Sequence, residues 1–98
     1  MKGIAVADVQ VTCIVKPDPT SSHEHITHLG NGRSWMWTRE QVIDSIDQRT
    51  NTFYVLDSRS NRRADVRVVR SQGRAPYVRT QADGVWTDNL LALNQCPI

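Results

Sequence analysis

Three imidazoles stand at His23-Glu-His25-Ile-Thr-His28, and neutral imidazole is a good ligand for zinc and related metals. A strand through this segment would put His23 and His25 on one face, about 7 Å apart, and His28 on the other. A single ion then meets all three only if the backbone bends, and only Asp, Glu or Cys is left to complete its sphere. The competing reading is a polar strand whose rings bond to neighbouring backbone or to Asp83 and Asp88. A second constellation, Asp83-Gly-Val-Trp86-Thr-Asp88, offers two carboxylates and an indole at a turn. Paired carboxylates do acid and base chemistry when their environments separate their pKa values. Asp-Gly is also an ordinary turn pair, and Thr87 or Asp88 an ordinary helix cap. In that reading Trp86 is a core residue sealing the C-terminal segment. No Ser-His-Asp or Cys-His spacing points to a nucleophile, so no catalytic residue is assigned. His25, Arg79, Asp83, Trp86 and Asp88 remain as candidate ligand contacts on one shared face.

A third constellation is cationic. Arg59, Arg62, Arg63, Arg67, Arg70, Arg74 and Arg79 crowd a stretch whose one acid is Asp65. Guanidinium groups grip phosphates bidentately and stack on bases, and Tyr77 and Trp35 offer aromatic platforms. Arg62, Arg63, Arg67, Arg70 and Tyr77 are therefore the candidate nucleic-acid contacts. Pairing with Asp44, Asp47, Asp57 and Asp65 is the plainer alternative. The formal net charge of +2 does not by itself demand a polyanion.

These residues need elements to hold them. Val9 to Lys16 alternates as one half-buried strand, and Pro17 to Ser22 ends it. His23 to Leu29 is expected to return as a second strand, followed by a loop from Gly30 to Ser34. The clearest local signal is Thr38-x-x-Gln41, a capping box, with Trp37 and Val42 placed as a hydrophobic staple and Glu40 suited to the first turn. The helix is expected to stop near Arg49 or Asn51. Trp37 is expected to seal the helix start while Trp35 is exposed to a ligand or protein; both indoles in the core is the alternative. Strands are expected at Thr52 to Leu56, Ala64 to Val69 and Tyr77 to Thr80, with turns at Asp57 to Asn61, Ser71 to Arg74 and Asp83-Gly84. Pro76 suits a strand start or an edge. A short helix is expected from Thr87 or Asp88 through Leu93.

The resulting expectation is an α+β chain: a single antiparallel sheet of four to five strands, one main helix packed on one face, and a short C-terminal helix. Ninety-eight residues, 39% hydrophobic and 22% charged, suit one small domain over residues 1–98. No window approaches the eighteen or so apolar residues of a spanning helix, and no export signal is evident. A cytoplasmic location, without membrane contact, is expected. Cys13 and Cys96 are expected to be two buried or idle thiols, with a disulfide as the alternative.

Five runs resemble a known family: Thr12-Cys-Ile-Val-Lys-Pro17, His23-Glu-His-Ile-Thr-His28, Trp37-Thr-Arg-Glu40, Thr52-Phe-Tyr-Val55, and Arg79-Thr-Gln-Ala-Asp-Gly-Val-Trp-Thr-Asp-Asn-Leu-Leu-Ala-Leu93. They are similar to the small bacterial family known as domain of unknown function 3892. The resemblance implies a compact stand-alone domain, usually bacterial or viral, with no established activity and no catalytic residues to transfer. The histidine spacing is also similar to the start of the His-x-His-x-Asp-His motif of metallo-β-lactamase-like hydrolases, with Thr27 in the Asp position, but those enzymes need a much longer chain. The functional expectation is a non-enzymatic binding or accessory module for a protein or nucleic acid, with no obligate cofactor. The alternative is a small zinc-dependent hydrolase using His23, His25 and His28.

Overall fold

A computed structural model describes residues 7–18, 22–32, 34–57 and 60–96. The element order is β1 (Ala7–Gln10), β2 (Cys13–Val15), a 3-10 turn (His23–His25), β3 (His28–Asn31), β4 (Trp35–Thr38), α1 (Arg39–Asp47), β5 (Asn51–Leu56), β6 (Arg63–Val69), β7 (Tyr77–Ala82), β8 (Val85–Thr87) and β9 (Asn94–Gln95). The architecture is α+β with one helix and two sheets. One sheet runs β1-β5-β6-β7-β8 and the other β4-β3-β2-β9.

The expected single sheet is thus corrected to two, and the reason lies at Val11 and Thr12. The Val11 amide donates to Tyr54 O at 2.8 Å, in the first sheet, whereas the Thr12 amide donates to Gly30 O at 2.9 Å, in the second. One alternating run therefore feeds two ladders, β1 parallel to β5 and β2 antiparallel to β3. Val11, Cys13 and Ile14 are all buried where the layers meet, so strict alternation lapses there.

The helix begins as its sequence dictates. Thr38 Oγ1 accepts from the Gln41 amide at 3.1 Å, and Gln41 Oε1 accepts from the Thr38 amide at 2.9 Å. Together these satisfy two groups otherwise left without helical partners, an N-cap contribution of about 1 kcal/mol. Val42, Ile43 and Ser45 are buried, and Trp37 packs against the same core. The helix ends at Asp47, with Arg49 turning the chain at φ 59°. It covers one face of the five-stranded sheet, where Phe53, Val55, Val66 and Val78 are buried.

Two residues apart on β4, Trp35 and Trp37 face the same side, which overturns the expected exposed Trp35. Their ring centroids are 5.9 Å apart, and they lie 6.1 and 6.0 Å from that of Phe53. Met36, between them, is the residue that points outward, 40% exposed.

The C-terminal helix is also absent. Residues after Asp88 form turns closed by Ala92 N to Asp88 O and Leu93 N to Leu90 O, and the chain then joins β2 through β9. Leu90 is fully buried, worth about 1.5–3 kcal/mol. The short segment gains more from reaching the sheet than from a second helical turn. The Cys96 amide donates to Ile14 O at 2.9 Å, and Cys13 and Cys96 form a disulfide, correcting the expectation of two thiols. Gly30, expected in a loop, lies inside β3 against this seam. A Cβ there would sit 2.6 Å from Trp35 O and 3.2 Å from Cys96 Sγ. The expected turns at Pro17 to Ser22, Gly30 to Ser34 and Asp57 to Asn61 fall partly outside the described residues, as does Arg59.

Candidate functional site

Alternation along each strand sends every second side chain to the face of the five-stranded sheet that α1 does not cover. Register decides which residues meet there. Gln10, Tyr54, Asp65, Gln81 and Trp86 form one cross-strand row through the pairs Gln10–Tyr54, Tyr54–Asp65, Asp65–Gln81 and Gln81–Trp86. Arg67 and Arg79 are paired in the next row, and Val69 and Tyr77 in the row after. None of these residues is buried, whereas Ala64, Val66, Val78 and Thr80, on the opposite face, all are.

Arg63 organises one end of this face. Its guanidinium reaches both carboxylate oxygens of Asp8, bonds Asp65 Oδ1 at 2.7 Å, and stands 4.4 Å above the Tyr54 ring centroid. The hydrogen bond from Arg63, then that from the Thr52 hydroxyl, holds the Asp8 carboxyl below its usual range. The same carboxylates push the Arg63 guanidinium further up.

Arg79 organises the other end. Its Nε donates to Thr87 O at 3.2 Å and its Nη2 to Asp88 Oδ1 at 3.1 Å. From the other side, His23 Nε2 approaches the same oxygen to 3.8 Å, too long for a hydrogen bond. His23 is only 7% exposed, and among the described residues Nε2 has no hydrogen-bond partner. Burial first, and then the nearby charge of Arg79, depresses its pKa; Asp88 opposes that shift.

The histidine-bearing segment and the Trp86–Asp88 segment therefore meet, but at His23. His25 is exposed on the 3-10 turn. His28 belongs to β3 in the other sheet, with Nδ1 2.9 Å from Thr27 Oγ1. The expected strand from His23 fails because Ser22, His23 and Ile26 close a 3-10 turn through His25 N to Ser22 O and Ile26 N to His23 O. Among the described residues, no three His, Cys, Asp or Glu side chains gather as a metal site would require.

The other candidates scatter. Asp83 sits with Gly84 in the β7–β8 turn, both at positive φ (52° and 78°), and pairs with Arg62 at 2.8 Å. Arg70 pairs with Asp47 of α1. Arg67 comes within 3.7 Å of Asp65 and is otherwise open to solvent among the described residues. Trp86, expected in the core, is 42% exposed, beside Val85 at 64%. It belongs to the three-residue edge strand β8, and its position opposite Gln81 puts it on the uncovered face.

Sequence reasoning passed over Tyr54 and Gln81. The signal for Tyr54 was its place between Phe53 and Val55: if those two go in, Tyr54 must go out. A concavity of about 500 Å³ lies elsewhere, lined by Thr12, Val55, Leu56, Asp57, Asn89 and Leu93 among others. Asp57, the one carboxylate among its described lining residues, accepts from Asn89 Nδ2 at 3.4 Å, which is no acid and base pair. The side chains of the uncovered face can offer stacking, hydrogen bonding and charge.

No helix among the described residues is long and apolar enough to cross a membrane. Neither curated proteins nor solved structures provide a match to the chain. Residues 10–94, most of its length, do match a family, and the chain belongs to it: the one described as Protein of unknown function (DUF3892).

Proposed function

We propose that this chain is a non-enzymatic binding module that engages a protein or nucleic-acid partner on the uncovered face of its five-stranded sheet. One observation carries the reading: among the described residues α1 packs on one side of the sheet, and the other side assembles Tyr54, Tyr77, Trp86, Arg67 and Arg79, none of them buried, from four different strands. A surface serving only solubility has no need of aromatic rings, and exposed aromatic and arginine side chains are the ones enriched where partners bind. The neighbouring Asp8–Arg63–Asp65 bonds fix the platform, which lowers the ordering cost of docking on it.

The test is retention from a cell extract on the immobilised protein, with bound protein and bound nucleic acid measured separately. Wild type is compared with a Trp86→Ala, Arg67→Glu double variant and with Met36→Glu, placed on the other sheet. Material held by wild type and by Met36→Glu, but lost from the double variant, supports the reading. Equal retention by the double variant contradicts it.

A further inference from the structure

Resting on the binding-module reading, we infer that the partner is single-stranded nucleic acid, with a phosphate held between Arg67 and Arg79 and bases stacked on Trp86 and Tyr77. The starting point is an unfavourable pairing. Arg67 and Arg79 are direct cross-strand partners on one face, and like charges directly opposite one another destabilise a sheet. The local acids relieve this only in part. Asp65 is already bound by Arg63 at 2.7 Å and lies 3.7 Å from Arg67. Asp88 serves Arg79, through Nη2, at the outer margin. A guanidinium has five N–H donors, so both arginines keep donors for an anion placed between them, where its charge would relieve their repulsion.

Aromatic groups flank this pair in order. Gln81, Arg79 and Tyr77 are alternate residues of β7, so successive tiers of the face are about 7 Å apart along the strand. The first tier carries Trp86 opposite Gln81, the second Arg67 opposite Arg79, the third Tyr77 opposite Val69. Ring, paired cations, ring is the sequence of surfaces that an extended nucleotide strand needs, since its bases and phosphates alternate along its length. Bases in a duplex are already stacked and cannot use the rings, so the platform favours single strands. Gln81, beside Trp86 in the first tier, supplies an amide for base edges. An acidic peptide would use the arginines but leave both rings idle.

The assignment also reorders the sequence-based candidates. Arg63 is committed to Asp8 and Asp65, Arg62 to Asp83 and Arg70 to Asp47. Arg67 and Tyr77 stay, and Arg79 and Trp86 join them.

The experiment is fluorescence anisotropy of labelled oligonucleotides of about 12 nucleotides, single-stranded DNA and single-stranded RNA of mixed sequence, each beside its duplex. At least one single strand is expected to bind better than its duplex, the DNA and RNA arms showing which sugar is accepted. With two phosphate-contacting arginines the salt slope is about −1.4, so affinity falls about sevenfold from 50 to 200 mM salt. Arg67→Ala should bring the slope to about −0.7. Trp86→Ala and Tyr77→Ala should each weaken binding about tenfold or more, with Trp86→Phe and Tyr77→Phe restoring most of it. Absent binding, equal affinity for duplex, or indifference to these substitutions overturns the inference. If oligonucleotides fail while the face variant still loses protein from the extract, the nucleic-acid inference falls and the binding-module reading stands. If the face variant loses nothing either, both fall.

Discussion

Cys13 and Cys96, separated by 83 positions in sequence, are covalently joined with their Cα atoms 4.8 Å apart. The bond ties the start of β2, just past the change of sheet, to the residue that follows β9, so it closes nearly the whole described fold into a loop. Cross-links that close long loops act mainly by restricting the unfolded chain, here by about 2–5 kcal/mol. A Cys13→Ala, Cys96→Ala variant, or wild type in reductant, should lose that much unfolding free energy, read as a lower urea midpoint. Reactive thiols in the untreated native protein, or a midpoint indifferent to reductant, would be the opposite result.

His23 makes stability fall on acidification. Its pKa is depressed by burial and by Arg79 and Lys16, with Asp88 opposing. The unfolded chain therefore takes up a proton near the ordinary value of 6.5 while the folded chain does not. Stability is full above that pH and declines from there down to the folded value. Imidazole titration by NMR should place His23 below 6.5, and urea midpoints of His23→Gln should lose the decline that wild type shows in that window. Parallel pH profiles would contradict it.

Gly30 and Gly84 should respond to alanine for different reasons. At Gly30 the added methyl collides with Trp35 O and presses on Cys96 Sγ, an overpacking cost of about 1–3 kcal/mol. At Gly84 nothing lies within 4 Å, but φ is +78°, and the left-handed backbone alone costs about 1–2 kcal/mol. Removing the disulfide frees space beside Cys96 and should soften the Gly30→Ala penalty without touching that of Gly84→Ala. Denaturation midpoints of the paired variants measure this coupling.

Arg63 should matter more for order on the platform than for stability. Its pairs with Asp8 and Asp65 are about half exposed, so Arg63→Ala costs at most about 1 kcal/mol. The Asp8 carboxyl should rise toward its ordinary 3.8 in that variant. The depressed value in wild type means the pair helps above that pH and is lost as pH falls through the folded value. Carboxyl NMR of Asp8 in the two proteins reads the change directly.

The capping box at Thr38 was legible because it is a local rule: both of its hydrogen bonds lie within four residues. The meander from β5 to β7 was legible for the same reason, with Ser71 to Arg74 marking its second turn; the turn at Asp83-Gly84 was legible too, but the strand β8 that follows it was not foreseen. What failed depends on distant partners. Nothing near Val11 or Thr12 announces a change of sheet, since their acceptors are Tyr54 and Gly30. The C-terminal helix was misread because β9 exists through its pairing with Cys13 and Ile14, some eighty positions earlier. The candidate site was half legible. Arg67, Tyr77, Arg79 and Trp86 were picked for their chemistry, but only the register of β6, β7 and β8 puts them on one face. Trp86 was assigned to the core on residue type, and its place on an edge strand reverses that.

The most direct measurement is a map of amide and indole NMR shifts on titration with the single-stranded oligonucleotide. Shifts should concentrate at Arg67, Tyr77, Arg79 and Gln81 and at the Trp86 indole N–H, leaving the Trp35 and Trp37 indoles unmoved. A response centred on the Trp35–Trp37 side or on α1, or no response at any residue of the uncovered face, would contradict the account.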